Sequence, residues 1–135
     1  MLRAAVDDVG PGESFEQLWT RRVGDDLFEI CCIPFFAYDL ALGDVVRADS
    51  ESGFVIRSVA RRSGNGVARV AIVRSEDVEA VHSRLHDLIA RTEYLCEWFA
   101  PGYVAIDLEP GRSHDELFEE LGWLGDAVEV ERILI

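Results

Sequence analysis

Ile33-Pro-Phe-Phe-Ala-Tyr-Asp-Leu-Ala-Leu-Gly-Asp-Val-Val-Arg-Ala48 sets two short apolar runs around a Pro-aromatic patch and a Gly43-Asp44 turn. This is the pattern of a strand that leaves one sheet, crosses a rim and re-enters as the next strand. Working towards the N-terminus, residues 27–33 and 18–23 read as strands, with Gly24-Asp25-Asp26 turning between them. In the other direction, 45–49 is a strand and Ser50-Glu-Ser-Gly53 turns the chain into 54–62. There Phe54, Ile56, Ser58 and Ala60 share one face, and Arg57 and Arg61 the other. Asn65-Gly66 is the pair that tight hairpins favour, because both residues tolerate positive φ, and it leads into a strand at 67–73. Short strands joined by tight turns predict a small β-barrel-like subdomain over residues 15–66. Residues 1–14 read as a flexible leader.

The rhythm changes after residue 74. Ser75 can cap a helix, with Glu76 and Asp77 at its positive end, and Val78, Val81, Leu85, Leu88 and Ile89 recur at helical spacing. Strands follow at 94–99 and 103–108, the latter with Val104, Ile106 and Leu108 on one face. Ser113-His-Asp-Glu116 has the capping-box spacing, ahead of an apolar stripe of Leu117, Phe118, Leu121 and Leu124. Val128-Glu-Val-Glu-Arg-Ile133 closes as an alternating strand. From Val67 the order is β-α-β-β-α-β, which predicts a ferredoxin-like plait over 67–135. The fold class expected is therefore α+β, a small barrel-like sheet followed by a plait. Residues 67–73 and 103–108 should pair at the middle of the plait's sheet.

Trp19, the segments Ile33-Pro-Phe-Phe-Ala-Tyr38 and Gly43-Asp-Val-Val-Arg-Ala48, and Arg62-Ser-Gly64 together resemble the bacterial family catalogued as domain of unknown function 4265. The resemblance runs from about Phe15 onward; in the second half it rests on element order. It implies a recurring domain and a bacterial source. It carries no activity, substrate or catalytic residue with it.

Charge narrows the function classes. The chain of 135 residues has 26 acidic and 13 basic side chains, a net charge of −13, and every basic residue is Arg. Such a field repels phosphate backbones and anionic headgroups, so neither nucleic acid nor a membrane is the expected partner, whereas a basic protein would be attracted. No apolar run approaches the roughly 20 residues that span a bilayer, and the leader has no apolar signal core, so a cytoplasmic location is expected. Cys31 and Cys32 are adjacent and would point to opposite faces of a strand; with Cys96 they lie in apolar runs, without a Cys-x-x-Cys pair.

The residue types that do chemistry occur without a catalytic pattern. His82 and His86 stand four apart, with Glu79 three before His82, but they drift from the apolar stripe into the polar face, and no fourth ligand is evident; no metal and no cofactor is expected. The acidic pairs Asp25-Asp26, Glu76-Asp77, Asp115-Glu116 and Glu119-Glu120 each read as sitting at a turn or a helix start, where Asp and Glu are structurally favoured. Serines 50, 52, 63, 75 and 113 fall at caps or turns, and none lies in Gly-x-Ser-x-Gly. The catalytic list is empty. The aromatics are the better lead: Phe35, Phe36 and Tyr38 follow Pro34 on the rim, and an extended segment cannot turn Phe35 and Phe36 to the same side. The sequence thus favours a non-enzymatic protein-binding adaptor or inhibitor of the immunity type, with Phe35, Phe36 and Tyr38 as binding residues. The alternative is a small-molecule sensor or regulatory subunit using the plait interface, through which a homodimer could also form.

Overall fold

A computed structural model of the chain describes residues 1–6, 14–37, 39–74, 76 and 78–133. Ten strands and two helices follow one another as β1 (Leu2–Val6), β2 (Ser14–Leu18), β3 (Thr20–Gly24), β4 (Leu27–Ile30), β5 (Val45–Arg47), β6 (Ser58–Arg61), β7 (Gly66–Ile72), α1 (Val78–Arg91), β8 (Cys96–Ala100), β9 (Tyr103–Leu108), α2 (Asp115–Gly122) and β10 (Val128–Ile133). The class is mixed α+β. No described helix is long and apolar enough to cross a membrane.

The C-terminal strands form a four-stranded sheet in the order β10-β7-β9-β8, antiparallel at every pairing. The expected central pair is present: Val67 lies opposite Asp107 and Val70 opposite Val104. Alternation then divides β7 and β9 between two surfaces. Ala68, Val70, Val104, Ile106 and Leu108 pack against Leu85, Leu88 and Ile89 of α1 and Leu117 and Leu121 of α2 in one core. Val67 and Ala105 point the other way, into a second small core with Ile33, Ala41, Phe35 and Leu42. The rim segment therefore covers the face of the sheet that the helices leave bare. Both faces of β7 are buried over much of its length, which is why Val67-Ala-Arg-Val-Ala-Ile-Val73 is a nearly continuous apolar run.

The N-terminal half departs from the expected barrel. β3-β4-β5-β6 is one antiparallel sheet and β1-β2 a separate two-stranded ladder. They share a core of Leu2, Ala4, Leu18, Phe28, Ile30 and Val46. Among the described residues a single bridge links β1 to the approach to β6: the Arg3 N–H donates to the Phe54 carbonyl at 3.1 Å and the Ile56 N–H to the Arg3 carbonyl at 2.8 Å. One bridge in place of a ladder leaves the barrel unclosed. The leader expected at 1–14 is corrected in part, because Leu2 and Ala4 are buried and Leu2–Val6 pairs with β2. Residues 7–13 lie outside the described set.

Three local expectations are also revised. The strand expected at 54–62 starts only at Ser58; Phe54 sits in the preceding turn at φ +59° and is exposed. Asn65-Gly66 is not a hairpin, because β6 and β7 belong to different sheets; positive φ falls on Gly64, and the Asn65 amide is used elsewhere. The Ser113–Glu116 capping box does not form. His114 is the N-cap of α2 and makes no side-chain cap bond; its ring instead lies between the Tyr94 hydroxyl, 2.8 Å from Nδ1, and the Glu109 carbonyl, 3.0 Å from Nε2. The cap expected at Ser75, with Asp77 beside it, lies outside the described residues.

Candidate binding site

Residues 33–37 are held almost entirely by side chains. The Glu16 carboxylate, from β2, accepts the N–H groups of Phe35 at 2.8 Å, Phe36 at 3.0 Å and Ala37 at 2.9 Å. Three consecutive amides can converge on one carboxylate only if the backbone curls into a concave nest. Glu97 of β8 accepts the Ile33 N–H, and Pro34 has none to offer. On the acceptor side, Arg69 of β7 donates through Nε to the Pro34 carbonyl at 3.2 Å and through a terminal nitrogen to the Ala37 carbonyl at 3.0 Å. The Tyr103 hydroxyl donates to the Phe35 carbonyl at 2.9 Å. Four strands thus supply the partners that a strand ladder would have supplied.

This curl decides where the rings go. The segment is bent, so the alternation expected of an extended chain does not apply: Phe35 and Phe36 both meet Phe99 and Tyr103. Their ring centroids lie 5.5 and 5.2 Å from that of Phe99. Phe35 and Phe36 are half-buried, while Phe99 is 60% exposed and forms the outer surface of the cluster. Tyr38, the third residue expected here, lies outside the described set. Phe99 was missed because it sits in an apolar strand; Trp98, its neighbour, does pack against the helices, and alternation turns Phe99 away from them.

Glu16 gives a direct test of the nest. Gln has one acceptor oxygen, and its NH2 group cannot receive the remaining amides. Glu16→Gln should lower unfolding free energy by about 2 kcal/mol, the scale of lost charge-assisted hydrogen bonds. Hydrogen exchange at the amides of Phe35, Phe36 and Ala37 should accelerate. Unchanged exchange there would mean that the nest does not depend on the carboxylate.

The polar groups behind the rim are already paired. Asp44, 1% exposed, accepts from the Ala41 and Ser63 amides at 3.1 and 2.8 Å and from Arg62 at 3.2 Å. Asn65 donates to both oxygens of the buried Asp107, whose carboxyl is held above its usual range by burial. These acids tie the residue 63–65 turn to the two sheets. His82 and His86 do not converge with Glu79: the His82 ring packs at a tilt against Trp98, centroids 4.4 Å apart, with Nδ1 2.8 Å from the Pro101 carbonyl, and His86 is exposed. Among the described residues no group of three His, Cys, Asp or Glu is placed to hold a metal ion.

The three cysteines are free thiols in different settings. Cys31 is exposed, against the expectation that it lies within an apolar strand, because β4 ends at Ile30. Cys32 is buried, and that burial pushes its thiol up to about 11. At pH 8 only about one Cys32 in a thousand would be thiolate, the reactive form. A disulfide reagent should therefore modify native protein at Cys31 first, and Cys31→Ser should abolish the fast phase. Equal rates for all three thiols would contradict the burial of Cys32.

A family model described as a domain of unknown function (DUF4265) matches residues 16–131. A solved structure titled "Novel crystal structure of a hypothetical protein from Neisseria gonorrhoeae" is similar over 98% of this chain and 92% of that one, with a TM-score of 0.75 and 19% sequence identity. At that identity the likeness is one of fold. No curated protein matches the chain.

Proposed function

We propose that this chain, which belongs to the DUF4265 family, is a non-enzymatic protein-binding adaptor or inhibitor of the immunity type, acting in the bacterial cytoplasm on a basic protein partner. The observation that carries the reading is the exposed Phe99 ring, backed by Phe35 and Phe36 on a segment that Glu16, Glu97, Arg69 and Tyr103 hold in place. Aromatic anchors contribute most to binding when they are rigid before the partner arrives. The charge of −13 adds long-range attraction for a basic surface. We read the β10-β7-β9-β8 order, with both helices in one core, as the ferredoxin-like plait of residues 67–135, a platform that displays these rings on its helix-free side.

Immobilised protein should retain a basic protein at low salt and release it near 1 M salt, where the Debye length is about 3 Å. Phe99→Ala should abolish retention while lowering stability by only about 1–2 kcal/mol, the scale of its lost ring contacts with Phe35 and Phe36. Retention that ignores both salt and Phe99→Ala would overturn the reading. The sensor alternative has its own support in an open cleft of about 490 Å³ on the same sheet. A small molecule that copurifies stoichiometrically and is lost on blocking that cleft would put it first. The cleft's open, charged walls place it second, because small-molecule sites are mostly enclosed and apolar.

A further inference from the structure

We propose that the cleft between β7, β9 and β10 receives an arginine side chain from the basic partner, next to the aromatic rim; this rests on the protein-binding reading above. Arg69, Ala71, Tyr103, Glu129, Val130 and Glu131 line it. Arg69, Tyr103, Glu129 and Glu131 lie at odd positions of β7, β9 and β10, on the face turned away from the helices. The charge there is unbalanced: one arginine faces two glutamates. Arg69 is also committed, to the Pro34 and Ala37 carbonyls and to Glu131 at 3.1 Å. Glu129 is exposed and carries the excess negative charge at the mouth. An anion would meet that carboxylate unfavourably, and an uncharged guest would forgo the attraction.

Arginine fits better than lysine. Its planar guanidinium can fork onto a carboxylate and lie against an aromatic face, whereas an ammonium acts as a more strongly hydrated point charge. Tyr103 supplies a ring in the cleft and joins it to the rim, its centroid 6.3 Å from that of Phe99. A basic segment crossing this face would set its arginine beside Glu129 and Tyr103 and an apolar neighbour on Phe99. β10 is an edge strand of the sheet, so Glu129 lies on the sheet's margin.

The test uses the full chain and N-acetyl-arginine methylamide as probe, with the lysine and glutamate analogues for comparison, followed by amide NMR. The arginine probe should shift the amides of Ala71, Tyr103 and Glu129 saturably, the lysine probe more weakly and the glutamate probe not at all. Glu129→Gln should weaken arginine binding about fivefold, the effect of losing one exposed ion pair. Leu95→Ala, at an exposed position outside the cleft, should leave it unchanged. Shifts scattered over the acidic surface, equal affinity for lysine, or indifference to Glu129→Gln would each overturn the assignment. The two readings separate cleanly. Partner retention that needs Phe99 but survives Glu129→Gln removes the arginine pocket and keeps the binding function. Saturable arginine binding without any partner retention does the reverse.

Discussion

Arg69→Ala should destabilise the protein by about 3–5 kcal/mol, because it strands two covered carbonyls and empties the space of a buried side chain. Arg69 is 3% exposed. Its guanidinium holds the carbonyls of Pro34 and Ala37 and reaches Glu131 across to β10, so one side chain fastens the rim to two strands of the sheet. Truncation leaves the two carbonyls without that donor in a covered site and also opens a cavity beneath the loop. Arg69→Met separates these effects, because it keeps most of the packing and loses only the donors. Urea unfolding should show a large loss for both variants, with Arg69→Ala the worse. Arg57→Ala is the control: Arg57 pairs with Asp49 at 3.1 Å on the surface, where such pairs contribute roughly 0–1 kcal/mol. If Arg69→Ala costs no more than Arg57→Ala, the rim is not fastened through Arg69.

Arg69 also marks the limit of what the sequence made legible. The helices were legible because Leu85, Leu88, Leu117 and Leu121 repeat at helical spacing, and one local period determines which side is buried. The pairing of β7 with β9 followed from element order alone. Phe35 and Phe36 could be singled out because Pro34 interrupts a strand and two large rings follow it. What holds them could not. Glu16, Glu97 and Arg69 lie 19 to 64 residues from the backbone groups they bind. Acidic residues at such positions look like ordinary solvated ones. A usable clue was Arg69 itself, a lone charge in the apolar run Val67-Ala-Arg-Val-Ala-Ile-Val73. A charge in a strand buried on both faces must find partners, so such a run calls for a polar group opposite it without saying which. The barrel failed for a related reason: closure depends on how β1 meets the approach to β6, and composition made β1 look like leader.

Leu85→Ala should cost about 2–5 kcal/mol. Leu85 is 0% exposed at the middle of α1, in the core shared by both helices and the sheet. Ala has the higher helix propensity, so the backbone of α1 gains slightly and the whole loss is one of packing. The size within that range depends on how far the core can relax. Here the sheet on one side and α2 on the other restrict collapse, which favours the upper half. Leu95→Ala is the matched comparison, since Leu95 is 58% exposed and should change stability by less than about 0.5 kcal/mol. Both variants should unfold with the wild-type denaturant slope, because neither alters how much surface the native state buries as a whole. A Leu85→Ala loss as small as that of Leu95→Ala would mean that α1 presents a different face to the sheet. The joint core of β7, β9, α1 and α2 would then be wrong, and with it the assignment of the opposite face to the aromatic rim.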